Sequence, residues 1–330
     1  MGRPKRTTVD QDLALDLLLD HKAEFVRAFL EANDLAVSGA KAELRDRLED
    51  ALAKGTVIVG DIIARLDEIE GWGNQHVYLY RAPEGILPTW RSESSVKDIL
   101  RAAKKVSLFN AHIPLALPPA TTLSKVDWSP QRVRFVWITT RNWEERLDGK
   151  DRREGLRVWK AYEERSARGV LAFDWNLQSG DAMLMIERLP SGNDYEDART
   201  ALVKELKPLL DLSVFSTVEV GRGIQPIEKS NEVLNRSLAL RSQRGTKVSF
   251  TSRSRKRDAF ERDPDAQRSR ESLGDNVAGD TGNFYWKKAG VLTDDLHTTI
   301  YAKDSRVGIF GERTEEEVAH VIQRIRHYCA

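Results

Sequence analysis

Apolar residues over the first seventy positions recur at helical spacing. Residues 9–20 place Leu13, Leu17 and Leu18 on one face of a short acidic helix. Phe25, Val26, Phe29 and Leu30 mark a second helix, and Leu44, Leu48 and Leu52 a third. Polar residues 33–39 supply the tight turn between them, so residues 21–53 read as a helical hairpin. Ile58, Ile62, Leu66 and Ile69 predict a fourth helix over 57–70, ended by Gly71-Trp72-Gly73.

Beyond residue 75 the period shortens to two. Strands are expected at 76–80, 132–138, 159–165, 169–177 and 182–189, with turns at Ala167-Arg168-Gly169 and Gln178-Ser179-Gly180. Residues 93–104 form a short helix, and 109–119 an irregular loop. Residues 195–210 form an amphipathic helix and 227–235 a further helical segment. A strand pair, 237–242 and 247–251, turns at Arg244-Gly245. The polar stretch 258–282, with Pro264, Gly274, Gly279 and Gly282, reads as a long mobile loop. A strand at 283–287 and a hairpin of 296–302 with 306–310 precede a last helix. Thr314 and Glu317 form its capping box, with Val318, Val321, Ile322 and Ile325 inward.

The sum is an α+β protein: a small all-helical N-terminal domain and a larger body of antiparallel sheets. The division is 1–10 a basic arm, 11–55 the helical domain, 56–73 a connecting helix and linker, and 74–330 the body. The body divides in turn into sub-modules 74–215 and 216–330. No internal repeat is evident.

Composition narrows the functional classes. A hydrophobic content of 40% suits a folded domain, and the net charge of +1 creates no global field, so affinity for a polyanion must come from local patches. No apolar run suits a membrane span or signal peptide, so no membrane contact is expected. Cys329 is the sole cysteine, which leaves no internal disulfide or cysteine-based metal site. These features predict an intracellular protein of the cytoplasm or nucleoid, or of the nucleus in a eukaryotic host.

Candidate chemistry gathers first at the hairpin. Ser38 stands as N-cap of the third helix, with Gly39, Ala40 and Lys41 at its first three positions. A helix start of this kind offers backbone N–H groups and a cation to an anion such as phosphate. The spacing Leu35, Ser38, Gly39, Lys41, Leu44, Arg47, Leu48 resembles the SAP motif, a helix–turn–helix module associated with DNA binding. The resemblance covers residues 21–53 and implies duplex contact through Ser38, Gly39, Lys41, Arg45 and Arg47. Where that family has glycine before the leucine that opens the turn, this chain has Asp34, a residue type able to adopt the left-handed conformation. At the N-terminus, Gly2-Arg3-Pro4 resembles the core of an AT-hook, so Arg3, Lys5 and Arg6 are expected to reach a minor groove.

A second basic surface lies between residues 236 and 257, an interval without an acidic residue. Arg241, Arg244, Lys247, Arg253, Arg255, Lys256 and Arg257 would make a basic ribbon on a β-hairpin, interleaved with phosphate-bonding serines and threonines. The best place for exposed base stacking is 284–288, Phe-Tyr-Trp-Lys-Lys.

No catalytic centre is evident. The six histidines are scattered, and Gly221-Arg222-Gly223 lacks the Lys-Ser/Thr of a phosphate-binding loop. Asp174, Asp181 and Glu187 on neighbouring strands are the one carboxylate set that a metal-dependent nuclease would use. The expectation is a non-enzymatic protein without cofactor or metal that binds double-stranded DNA with weak sequence preference. The alternatives are an assembly protein that the hairpin recruits to DNA while the body grips a protein partner, and a divalent-metal nuclease.

Overall fold

The computed structural model describes residues 7–189, 194–252, 258–261, 263–274 and 277–330. It opens with four helices: α1 (Thr7–Asp20), α2 (Ala23–Ala32), α3 (Lys41–Lys54) and α4 (Val59–Ile69). All four share one apolar core. The buried face of α1 is Ala14, Leu15, Leu18 and Leu19, with Leu17 only half-buried, a small rotation from the expected stripe. Asp34 takes φ +56 at the end of α2, so an acid fills the left-handed position the turn requires. Leu44, Leu48 and Ala51 complete the inner face of α3; Ile62, Leu66 and Ile69 that of α4.

The body begins with β1 (Gly73–Arg81), followed by α5 (Leu87–Trp90) and α6 (Glu93–Ala102). Next come β2 (Thr122–Ser129), β3 (Arg132–Arg146), β4 (Arg152–Glu154), β5 (Arg157–Trp159), β6 (Tyr162–Asn176), β7 (Asp181–Glu187) and α7 (Tyr195–Leu206). The chain continues through β8 (Ser216–Thr217), α8 (Ile224–Glu228), β9 (Val233–Ser242) and β10 (Lys247–Thr251). It closes with α9 (Pro264–Ser272), β11 (Val277–Trp286), β12 (Leu296–Tyr301), β13 (Arg306–Glu312) and α10 (Glu315–Cys329). Among the described residues, eleven strands form one antiparallel sheet in the order β10-β9-β11-β12-β13-β1-β7-β6-β3-β2, with β8 against β1.

β1 is the spine, and period-two geometry sends its side chains to two cores. Tyr78 and Tyr80 join Phe173, Trp175 and Leu184 under α6 and α7 on one face. Val77 and Leu79 join Met185, Val307 and Ile309 under α8 and α10 on the other. Each half of the body is therefore a sheet covered by helices on one side, and the halves use opposite sides.

The helical domain covers the face of the first half that α7 leaves bare. Glu70 pairs with Arg168 of β6 at 3.0 Å, and Asp67 pairs with Lys125 of β2 at 3.0 Å. Lys22 donates its backbone N–H to Glu312 of β13. The chain crosses into the body at Gly71-Trp72-Gly73, where both glycines have left-handed φ. A Cβ on Gly73 would lie 2.2 Å from the Gly311 carbonyl oxygen.

Several expectations change. No turn occurs at Ala167-Arg168-Gly169: residues 162–176 are one strand, paired throughout with β3, which itself runs on to Arg146. The stretch 258–282 holds α9 and the start of β11 rather than a long loop. Residues 227–235 are mostly not helical, because α8 ends at Glu228 and β9 starts at Val233. Pairing along a common sheet overrode glycine and charge signals that read locally as breaks. The capping box at Thr314 and Glu317 and the buried stripe of α10 are as expected.

Candidate nucleic-acid interface

The start of α3 differs from the expected cap. The helix begins at Lys41 with Ala40 as N-cap, and Ser38 lies outside it. Glu43 reaches back to accept the Ala40 N–H at 3.2 Å. Its carboxylate also fills the space beside Gly39, whose φ of +113 no side chain could share with it. An incoming phosphate must displace this internal anion. The cations are held too: Lys41 stands 3.5 Å from Asp20, and Arg45 bridges Asp16 at 2.6 Å and Glu49 at 2.8 Å. Arg47 donates to the carbonyls of Ala36 (3.0 Å) and Ser38, so it braces the turn.

The second expected surface forms a β-hairpin at the edge of the sheet. Lys247 of β10 sits directly opposite Arg241 of β9, and Arg244 lies exposed in the turn. Asp280 of β11 accepts from both Arg241 (2.7 Å) and Lys247 (2.6 Å), which hold its carboxyl below the usual carboxylate range, Lys247 most strongly. Two cations thus share one carboxylate, and Arg244 adds a third positive charge in the turn. Arg3, Lys5, Arg6, Arg253, Arg255, Lys256 and Arg257 lie outside the described residues.

The stretch expected to stack bases is divided by the pleat. Phe284 and Trp286 are core, while Tyr285 turns to the opposite face. There it stacks on His297 (centroids 4.6 Å apart, 14° between planes), which stacks on Phe310 (4.4 Å, 24°). Rings stacked across neighbouring strands consume their own faces and leave mainly edges, which suits a sheet brace better than a base platform. Beside them Arg306 lies over Tyr301 and Tyr195 and donates to His76 Nδ1 at 2.6 Å. Burial, reinforced by Arg306 and Arg188, pushes the His76 imidazole down to about 3.

His76 is therefore neutral in the fold, whereas in the unfolded chain it takes up a proton below its ordinary value of 6.5. Its contribution to stability is present above that pH and is lost as pH falls toward 3. His76→Gln keeps an acceptor for Arg306 and removes the titration. The variant is expected to flatten the acid side of the stability–pH curve between about pH 6.5 and 4, read by urea unfolding. An unchanged acid limb would show that carboxylates alone set it.

Asp174, Asp181 and Glu187 share one sheet face but do not converge. Asp174 is buried against Arg132 (Nε to Oδ2, 2.9 Å), and Asp181 lies 3.0 Å from Arg81 and 3.1 Å from Arg326. Glu187 pairs with Arg141 at 2.8 Å and accepts the Val170 N–H at 2.8 Å. Among the described residues, no three His, Cys, Asp or Glu side chains are grouped to hold a metal ion. Each carboxylate serves as the counter-charge of an arginine.

Unforeseen from sequence is the arm. β3 pairs with β2 only as far as Ile138, and β6 pairs with β7 only from Leu171. From Thr139–Gly169 to Arg146–Tyr162 the two strands run on without a further strand neighbour, held to the body at their base by Thr140, Arg141 and Arg168, and capped by the small β4–β5 ladder. Its tip carries Arg152, Arg153 and Arg157, all exposed. The signal was present as Trp-Glu-Glu-Arg at 143–146 and Tyr-Glu-Glu-Arg at 162–165 around a glycine turn, a charged alternation needing no core.

No family model matches the chain, and no curated protein matches its sequence. Among the described residues, no helix is long and apolar enough to cross a membrane.

Proposed function

We propose that the protein binds duplex DNA without catalysing a reaction on it, holding the phosphate backbone at more than one basic point. The observation that carries this reading is the exposed β9–β10 edge, where Arg241 and Lys247 share the single carboxylate of Asp280 and Arg244 stands in the turn between their strands. An excess of fixed cations on an exposed hairpin releases counterions when it meets phosphate, which gives affinity with little sequence preference. The helical hairpin is the second point. Its cations are engaged at exposed sites, where ion pairs contribute little and exchange for phosphate at small cost.

A test uses two variants. Lys41→Glu adds an acid to the first turn of α3, which the helix dipole favours, so the fold is expected to persist. Arg244→Ala with Lys247→Ala leaves Arg241 to neutralise Asp280. Each variant is expected to weaken duplex binding. The logarithmic salt slope should fall by about 0.9 for each phosphate no longer neutralised, about 1.8 for the double variant. Unchanged affinity and slope in both folded variants would sink the proposal.

A second reading, an assembly protein recruited to DNA, draws on one observation. Val158, Trp159 and Tyr162 on the arm are all at least half exposed, an apolar content that single surface residues do not explain.

A further inference from the structure

The arm has the charge and shape of a probe. Beyond Ile138 and Val170 it is a two-stranded ribbon eight residue pairs long, on the order of 26 Å at the usual rise per residue. Such a ribbon is marginal in water by itself, and its register is set only where it joins the body. Its charges are segregated. Over residues 150–160 there are five cations and two carboxylates, whereas the stalk (141–149 and 161–168) has four cations and five carboxylates. The stalk's cations are all paired: Arg165 with Glu145 at 2.9 Å and Glu163 at 2.8 Å, Arg146 with Asp151 at the foot of the tip at 2.7 Å, and Arg141 and Arg168 with Glu187 and Glu70 of the body. Arg152, Arg153 and Arg157 have no carboxylate partner among the described residues.

The apex is apolar. Gly155 takes φ +61, as a two-residue hairpin turn with glycine first requires, and this thrusts out Leu156 with its full surface in solvent, 105% of the reference value. Ladder register places Arg152 and Arg157 on one face of the tip, with Glu154 opposite Arg157, and Arg153 on the other. A leucine at the apex with Val158 and Trp159 exposed behind it, cations on both faces and a stalk without excess positive charge suit a groove with phosphate on both walls, entered end-on.

We propose that this tip enters the minor groove of duplex DNA, with Leu156 wedged against a base step and Arg152, Arg153 and Arg157 on the flanking phosphates. The inference rests on the duplex-binding reading above and adds a site and a consequence. The minor groove, about 6 Å wide, must open to admit a ribbon, and an apolar wedge there kinks the duplex by about 20–90°. The major groove would admit a ribbon without that distortion.

The test uses the full chain and an end-labelled duplex of about 30 base pairs, with bending read by energy transfer and affinity by salt titration. Leu156→Ser is expected to abolish the bend and retain most of the affinity, and Leu156→Phe to keep the bend. Arg152→Ala, Arg153→Ala and Arg157→Ala together should lower the salt slope by about 2.7. If the wild type binds without bending, or if the arm variants match it in bend and slope, the insertion is overturned and the exposed tip falls to a protein partner. Failure of the wild type to bind duplex at all would overturn the duplex-binding reading and the insertion together.

Discussion

Arg168→Met is expected to destabilise the protein by about 3–5 kcal/mol at neutral pH, because it leaves a buried carboxylate without its counter-ion. The side chain of Arg168, on β6, is shielded from solvent, its Nε 3.0 Å from Glu70 and its Nη1 donating to the Pro114 carbonyl at 2.6 Å. Both charged side chains are about 95% shielded from solvent. Burial pushes the Glu70 carboxyl up, and Arg168 draws it part of the way back. Removing the guanidinium raises it further. A carboxyl whose folded value exceeds its unfolded value binds more protons folded than unfolded, so stability falls as pH rises through that window. The loss in Arg168→Met should therefore be largest near pH 7.5 and smaller near pH 4.5. Pairing it with Glu70→Leu removes the orphaned charge and should restore most of the stability. Denaturant unfolding at the two pH values checks this. A variant within about 1 kcal/mol of the parent at neutral pH would show that water already reaches the pair.

Trp72→Ala carries the second large effect, about 3–5 kcal/mol from reduced burial and the cavity left behind. Trp72 lies where the helical domain enters the body, 3% exposed. The Arg134 guanidinium lies 4.3 Å from its ring and that of Arg132 5.7 Å. Burial pulls Arg134 below its ordinary value, opposed chiefly by Asp174. The indole face is thus part of what makes a buried cation tolerable, a contribution of about 2 kcal/mol when desolvated. Trp72→Phe keeps an aromatic face and most of the volume, and should lose less than half as much. Equal losses in the two variants would assign the effect to volume alone. The expected unfolding is non-uniform, with the helical domain released first and open to protease.

Much of the local structure is legible in the chain. The Leu44 and Leu48 stripe, the Thr314–Glu317 capping box and the pairing of 237–242 with 247–251 follow from contacts between residues a few positions apart. The merged strand 162–176 is not legible, because Gly169 reads as a turn until β3 lies beside it. The candidate site is half legible. Arg241, Arg244 and Lys247 do form one exposed basic edge. Ser38 loses its capping role because Glu43, three residues past Ala40, supplies a better acceptor.

The α+β class, the helical hairpin and the positions of the basic clusters are written in the order of residues, since periodicity and short-range chemistry act within a few positions. Which cations remain available depends on the folded chain. Asp16 claims Arg45 across 29 positions, and Asp280 claims Arg241 and Lys247 across more than thirty. Among the described residues, the arginines at the arm's tip form no ion pair with a carboxylate of the body, because the sheet ends before it reaches them. Charge neutralisation is a matter of distance through space, and the fold sets that distance.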